Sequence, residues 1–173
     1  MERNAKNSPL NQPKGFVKRV GGYLHRFVPV VDSTGKIVDY IAKPLMIELK
    51  PRDIFQIIIG ASMMALPLSF TEETWRLSEE LPMGNIISLT VIGFVLMALF
   101  VYFNFYRHEL RGNLGRYLIR LLAIFFISHA IVAVLLTILM KAPWQSDLLL
   151  AIRRVLLIAF PAQLTASVSD VLK

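Results

Sequence analysis

Glu72 and Glu73 stand side by side at the end of a long apolar run, in the stretch "PLSFTEETW" (67–75). Carboxylates contributed as a ring by several subunits attract and select cations. The pair also has a purely structural use, because Thr71 is a good helix N-cap and acids in a first turn favour the helix dipole. A second charged pair, Arg153 and Arg154, sits inside another apolar stretch. At about 1.5 Å per residue they lie roughly 10 Å below its outer end, where arginine must pair, snorkel or line water. An Arg–Glu clamp between Arg153 and Arg154 and Glu72 and Glu73 would satisfy both pairs, and it would weaken any cation filter. The two readings compete for the same side chains.

Asp170 follows Thr165, Ser167 and Ser169 near the end of the last apolar stretch. Small and polar residues on such a helix suggest close packing, interhelical hydrogen bonds or a wet lining. Ala61, Ala65 and Ser69 form a small-residue stripe at spacings of four, which points to tight helix packing, subunit contacts included. His129, beside Ser128, can relay protons or form an interhelical hydrogen bond. The three histidines show no metal-ligand spacing, and there is no cysteine. Neither H-E-x-x-H, nor a nucleophile elbow, nor a P-loop occurs. No catalytic residue, metal or cofactor is therefore expected, and the chain reads as a non-enzyme.

The elements that position these residues follow from hydropathy. The chain has 173 residues, 55% of them hydrophobic and 18% charged, against roughly 25% charged in soluble domains. Four spans are expected, at about 54–70, 85–106, 117–140 and 147–170. The first and last are broken by Pro67 and Pro161, each of which frees a backbone carbonyl. The second ends in an aromatic belt of Tyr102, Phe103, Phe105 and Tyr106. A weak echo at a separation of 94 residues relates "ALPLSFT" to "AFPAQLT", as in proteins with inverted repeats or by chance.

The net charge is +7, and its placement decides its meaning. Ten of the 19 Lys and Arg precede residue 54, and Arg107, Arg111, Arg116 and Arg120 cluster around one connection. That is the charge bias of cytoplasmic segments, so no nucleic-acid partner is needed to explain it. Both termini are expected inside, and the acidic 71–83 connection outside. Residues 1–26 read as flexible and basic, without the apolar core of a signal peptide. Residues 27–50 read as a cytoplasmic hairpin module, with "VPVVD" and "KIVDYI" flanking a turn at "DSTG" and a third strand in "LMIEL". Residues 51–173 form the membrane domain.

The motifs "PLMIELKPRDIFQIIIGASMMALPLSFTEETW", "VYFNFYR" and "AFPAQLTASVSD", in that order, resemble a group of bacterial integral membrane proteins known only as a domain of unknown function. The resemblance runs from about residue 27 to the end, and some relatives look longer, with extra spans, so that this chain resembles a compact, four-span member. It implies an integral membrane location and carries over no activity, cofactor or site residue.

The expected fold is an all-α, four-span bundle of the cytoplasmic (inner) membrane with a small β-rich N-terminal module. Four short helices enclose little space, so a homo-oligomer is expected. The leading functional expectation is an oligomeric, cation-selective ion channel or ion-conducting transport protein. Glu72, Glu73, Ser69, Thr71 and Asp170 would line its path. Arg153, Arg154 and His129 would serve as charge partners or gates. The partners would be the lipid bilayer and an inorganic cation. The alternative is a non-conducting scaffold or sensor that binds a cytoplasmic partner or anionic lipid through its basic N-terminus.

Overall fold

A computed structural model of the chain describes residues 15–20, 23–32, 36–44, 48–107 and 110–172. It divides into two units, Met1–Glu48 and Leu49–Lys173.

The first unit is a three-stranded antiparallel meander, β1 (Phe16–Val20), β2 (Tyr23–Val31) and β3 (Ile37–Pro44), in that spatial order. The expected hairpin is β2–β3. Asp32 closes its turn, accepting from the Lys36 amide at 3.1 Å while its own amide donates to the Lys36 carbonyl at 3.0 Å; the rest of the "DSTG" turn, 33–35, lies outside the described residues. Pro29 falls beyond the end of β1, where β2 has β3 alone as neighbour and a missing donor is tolerated. The third strand differs from expectation. It is Phe16–Val20, within the segment read as flexible, and Phe16 stacks on Phe27 with ring centroids 5.0 Å apart. Of "LMIEL", Glu48 and Leu49 are not in a strand, and 45–47 lie outside the described residues.

The second unit is helical: α1 (Pro51–Ser69), α2 (Glu72–Glu80), α3 (Met83–Val101) continued by a π-helical turn (Tyr102–Tyr106), α4 (Leu110–Ile138) and α5 (Leu148–Val171). Three segments are long and apolar enough to cross a membrane: Met83–Tyr106, Gly112–Ile138 and Leu148–Val171. The pair α1–α2, bent by 85°, makes a fourth if it is counted as one span. Pro67 sets up that bend. It cannot donate to Met63, and past Ser69 the chain turns through Phe70 N–H to Pro67 O (3.2 Å) and Thr71 N–H to Leu68 O (3.3 Å). The Thr71 hydroxyl does not cap α2 as expected; it donates back to the Pro67 carbonyl at 2.9 Å.

At the far end of α4, Met140 takes a left-handed φ of 55°. Lys141 N–H reaches Leu136 O at 2.8 Å, and Met140 N–H reaches Thr137 O at 3.0 Å. This is a Schellman C-cap built without the usual glycine.

Helix α5 is the centre of the bundle and packs against α1, α2, α3 and α4. It buries ten residues from Ala151 to Asp170, and all but Leu157 lie on one broad face covering about half of its circumference. That position explains its composition. Its mean hydropathy is 1.6, against 2.6 and 2.7 for the other two spans, because its neighbours are helices that accept polar groups where lipid would not. Helices α3 and α4 instead turn Val91, Val95, Leu99, Leu118, Leu122 and Phe126 outward.

The closest packing joins α1 and α5. Ile57, Gly60, Ala61, Ala65 and Ser69 form one buried face of α1. A Cβ on Gly60 would come within 2.5 Å of Ser169 Cβ and 2.8 Å of the Ala166 Cα. The small-residue stripe read as a site of tight helix packing is buried within the chain. The helices run antiparallel, and the Gly60–Ala166 register sets Pro67 opposite Ala159, two residues from Pro161.

Candidate functional site

Arg120 is fully buried, ten residues into α4. Its Nη1 donates to Asp170 Oδ2 at 2.5 Å and its Nη2 to Asp53 Oδ2 at 3.3 Å. Three helices are thereby joined: α1 through Asp53, α4 through Arg120 and α5 through Asp170. Each residue has a local reason to be there. Asp53 is the third residue of α1 and accepts the Lys50 amide at 3.1 Å, so it caps its own helix while facing inward. Asp170 is the last buried residue of α5. The π-helical turn rotates Phe105 and Tyr106 toward the arginine. The guanidinium carbon lies 4.2 Å from the Phe105 ring centroid, and the buried Tyr106 hydroxyl is hydrogen-bonded to Arg120. Single π-bulges of this kind often mark functional sites. Tyr106 also meets Tyr117 edge-on at 5.2 Å, and the Tyr117 hydroxyl donates to Ala98 O at 3.0 Å.

Counted by formal charge, two carboxylates and one guanidinium sum to −1. Desolvating an ion costs several kcal/mol, recovered only where partners and geometry are good. Arg120 has both carboxylates, a phenol and a ring face around it. Uptake of one proton or one cation would bring the group to neutrality.

Of the residues expected to line a path, Asp170 belongs to this group. Glu72 and Glu73 are exposed at the start of α2, and among the described residues neither forms an ion pair. The expected clamp takes a different form. Arg154 Nη2 bonds Glu79 Oε1 at 2.7 Å, its Nε reaches Ser78 Oγ at 3.4 Å, and its Nη1 bonds the Lys141 carbonyl at 2.7 Å. The bend between α1 and α2 carries Glu72 and Glu73 away and presents the last turn of α2 instead. Arg153 is half-buried, with no hydrogen-bond partner for its Nε. Lys141 Nζ sits 3.8 Å over the Trp75 ring, so the tryptophan is tied to the bundle. Ser69 is buried in the α1–α5 seam, its hydroxyl returned to Ala65 O at 2.7 Å.

Between the two charged ends lies a third set of polar groups. Gln163 is fully buried on α5, and neither its Oε1 nor its Nε2 has a hydrogen-bond partner. Its place depends on Gly93 of α3, where a Cβ would stand 2.3 Å from Gln163 Nε2 and 2.6 Å from the Phe160 ring. Ser128 is fully buried with an unpartnered hydroxyl. His129 Nδ1 donates to Phe125 O at 2.8 Å, within its own helix and not between helices, and its buried Nε2 has no partner. A buried amide or hydroxyl without a hydrogen bond costs on the order of 2–7 kcal/mol.

Four members of the central group escape a reading of the sequence. Arg120 counts there as loop charge, Asp53 as a helix start, and Tyr106 with Phe105 as interfacial belt. The available signal is that Arg120 stands four residues inside "YLIRLLAIFF", too deep for a loop. Among the described residues no group of three or more His, Cys, Asp or Glu is placed to hold a metal ion.

No curated protein and no solved structure matches the chain. A family model described as "Putative integral membrane protein (DUF2391)" matches residues 36–172, which takes in α1 to α5 and every residue of the Arg120 group. The chain belongs to this integral membrane protein family.

Proposed function

We propose that this protein is a cation-selective ion-transport protein of the cytoplasmic membrane, assembled from identical chains, with both termini inside and no catalytic step. One observation carries the reading: a buried, formally negative group of Arg120, Asp53 and Asp170 ties three helices together inside an apolar bundle. Ionisable residues within membrane helices are expensive, and those that persist commonly mark ion pathways or proton relays. The exposed pair Glu72 and Glu73 supports an acidic outer site, and the basic segment before α1 supports the orientation.

The direct test is flux in reconstituted vesicles. Na⁺, K⁺ or H⁺ should pass, and Asp170→Asn should reduce the flux strongly while the protein still elutes as the parent does. Absence of flux for all three ions at several pH values overturns the proposal. Flux unchanged in Glu72→Gln with Glu73→Gln removes the outer acidic site from it.

A specific observation favours a second reading, that of a scaffold. All five residues of β1, "FVKRV", are exposed, and they combine apolar and basic side chains in the manner of a docking strand. A stable partner captured through residues 1–50, with no conduction in the complex, would support it.

A further inference from the structure

We infer that the ion handled by the Arg120 group is the proton, relayed within a single chain through Gln163, Ser128 and His129; this rests on the ion-transport reading above. The placement of the three residues is the first argument. Helices α4 and α5 run antiparallel from the Arg120–Asp170 contact. Ser128 lies eight residues along α4 from Arg120, and Gln163 seven residues along α5 from Asp170. At 1.5 Å per residue both stand roughly 10–12 Å from the ion pair, level with one another. Gln163 and Asp170, two turns apart, share one face of α5. Ser167, one turn from Asp170, is buried on α5 but spends its hydroxyl on Leu164 O at 2.7 Å, so the relay candidates are the next buried polar groups toward the middle of the bundle whose atoms lack a partner.

Chemistry is the second argument. An amide, a hydroxyl and an imidazole each offer both a donor and an acceptor, and in all three the groups without a protein partner are buried. His129 Nδ1 already donates to Phe125 O, which leaves Nε2 as the working nitrogen. Packing is the third. Contacts of 2.3–2.8 Å from the would-be Cβ atoms of Gly60 and Gly93 bring α1, α3 and α5 too close for a hydrated metal ion. A dehydrated one would need a cage of oxygen ligands. A proton needs only successive hydrogen bonds. It would bind the Asp170 carboxylate, neutralise the group of Asp53, Arg120 and Asp170, and then leave along the same line of donors and acceptors. Tyr106 on the π-helical turn senses both Arg120 and Asp170, Arg116 stands one turn before Arg120, and Lys50 and Arg52 flank Asp53.

The test uses the full chain in phospholipid vesicles with a trapped pH-sensitive dye, beside parallel Na⁺ and K⁺ measurements. Proton flux without Na⁺ or K⁺ flux is expected. His129→Phe should lower it about a hundredfold or more, as removal of a proton-transfer group does, and Gln163→Leu, which removes the amide that positions the relay, and Ser128→Ala should each lower it. Na⁺ or K⁺ flux without proton flux overturns this inference and leaves the ion-transport reading standing. No flux of any ion overturns both. Undiminished proton flux in a Gln163→Leu protein that unfolds as the parent does overturns the relay; if that variant does not fold, unchanged flux in both Ser128→Ala and His129→Phe does so.

Discussion

Replacing Arg120 with methionine keeps most of the side-chain volume in α4 and removes the charge. Asp53 and Asp170 then share a site that is almost wholly withdrawn from solvent, without the guanidinium that stands 2.5 Å from one and 3.3 Å from the other. Breaking a buried pair by removing one partner costs about 3–5 kcal/mol. Losing the cation over the Phe105 ring adds about 1–2 kcal/mol. At about 1.4 kcal/mol per tenfold, the folding equilibrium should fall by roughly a thousandfold or more. The remedy is specific. Asp53→Asn and Asp170→Asn, combined with Arg120→Met, remove all three charges and with them the cost of an uncompensated buried charge. The triple variant should therefore regain most of the loss. The assay is unfolding in mixed micelles titrated with dodecyl sulfate, followed by helical circular dichroism. An Arg120→Met protein within about 1 kcal/mol of the parent would refute the argument, as would a triple variant no more stable than the single one.

Two further predictions concern packing and backbone. Gly60→Leu forces side-chain atoms against Ser169 and the α5 backbone, and should cost about 1–3 kcal/mol in the same titration as an overpacked seam. Met140→Gly should instead stabilise by about 0.5–1 kcal/mol, since Met140 is 90% exposed and holds a left-handed φ that glycine adopts freely. A loss of stability in Met140→Gly would mean that the side chain, and not the cap, matters there.

The apolar runs from Met83, Gly112 and Leu148 announce their helices because composition alone selects such segments. The stripe of Ala61, Ala65 and Ser69 likewise announces close packing, since a spacing of four defines a helix face. It does not say what the face meets, and the partner is α5 of the same chain. Arg120 is concealed by the rule that makes topology legible: counting Lys and Arg near span ends ignores depth. Gln163 looks like one polar residue in a kinked helix, and only Gly93, far away in sequence, shows how tightly it is held. The strand Phe16–Val20 is too short for its alternation to stand out from its basic surroundings. The bend after Ser69 swaps which acids of α2 face Arg154, a three-dimensional fact that residue spacing does not contain.

The central position of α5 also orders the making of the protein. Asp53 is synthesised 67 residues before Arg120, and Asp170 50 residues after it. While the ribosome is still adding α5, Arg120 has only its longer contact, to Asp53, and the faces of α1, α3 and α4 that meet α5 are uncovered. Among the three long spans the one of lowest hydropathy thus follows the helices it packs against in chain order, and a chain cut before residue 170 would lack the carboxylate that Arg120 meets at 2.5 Å.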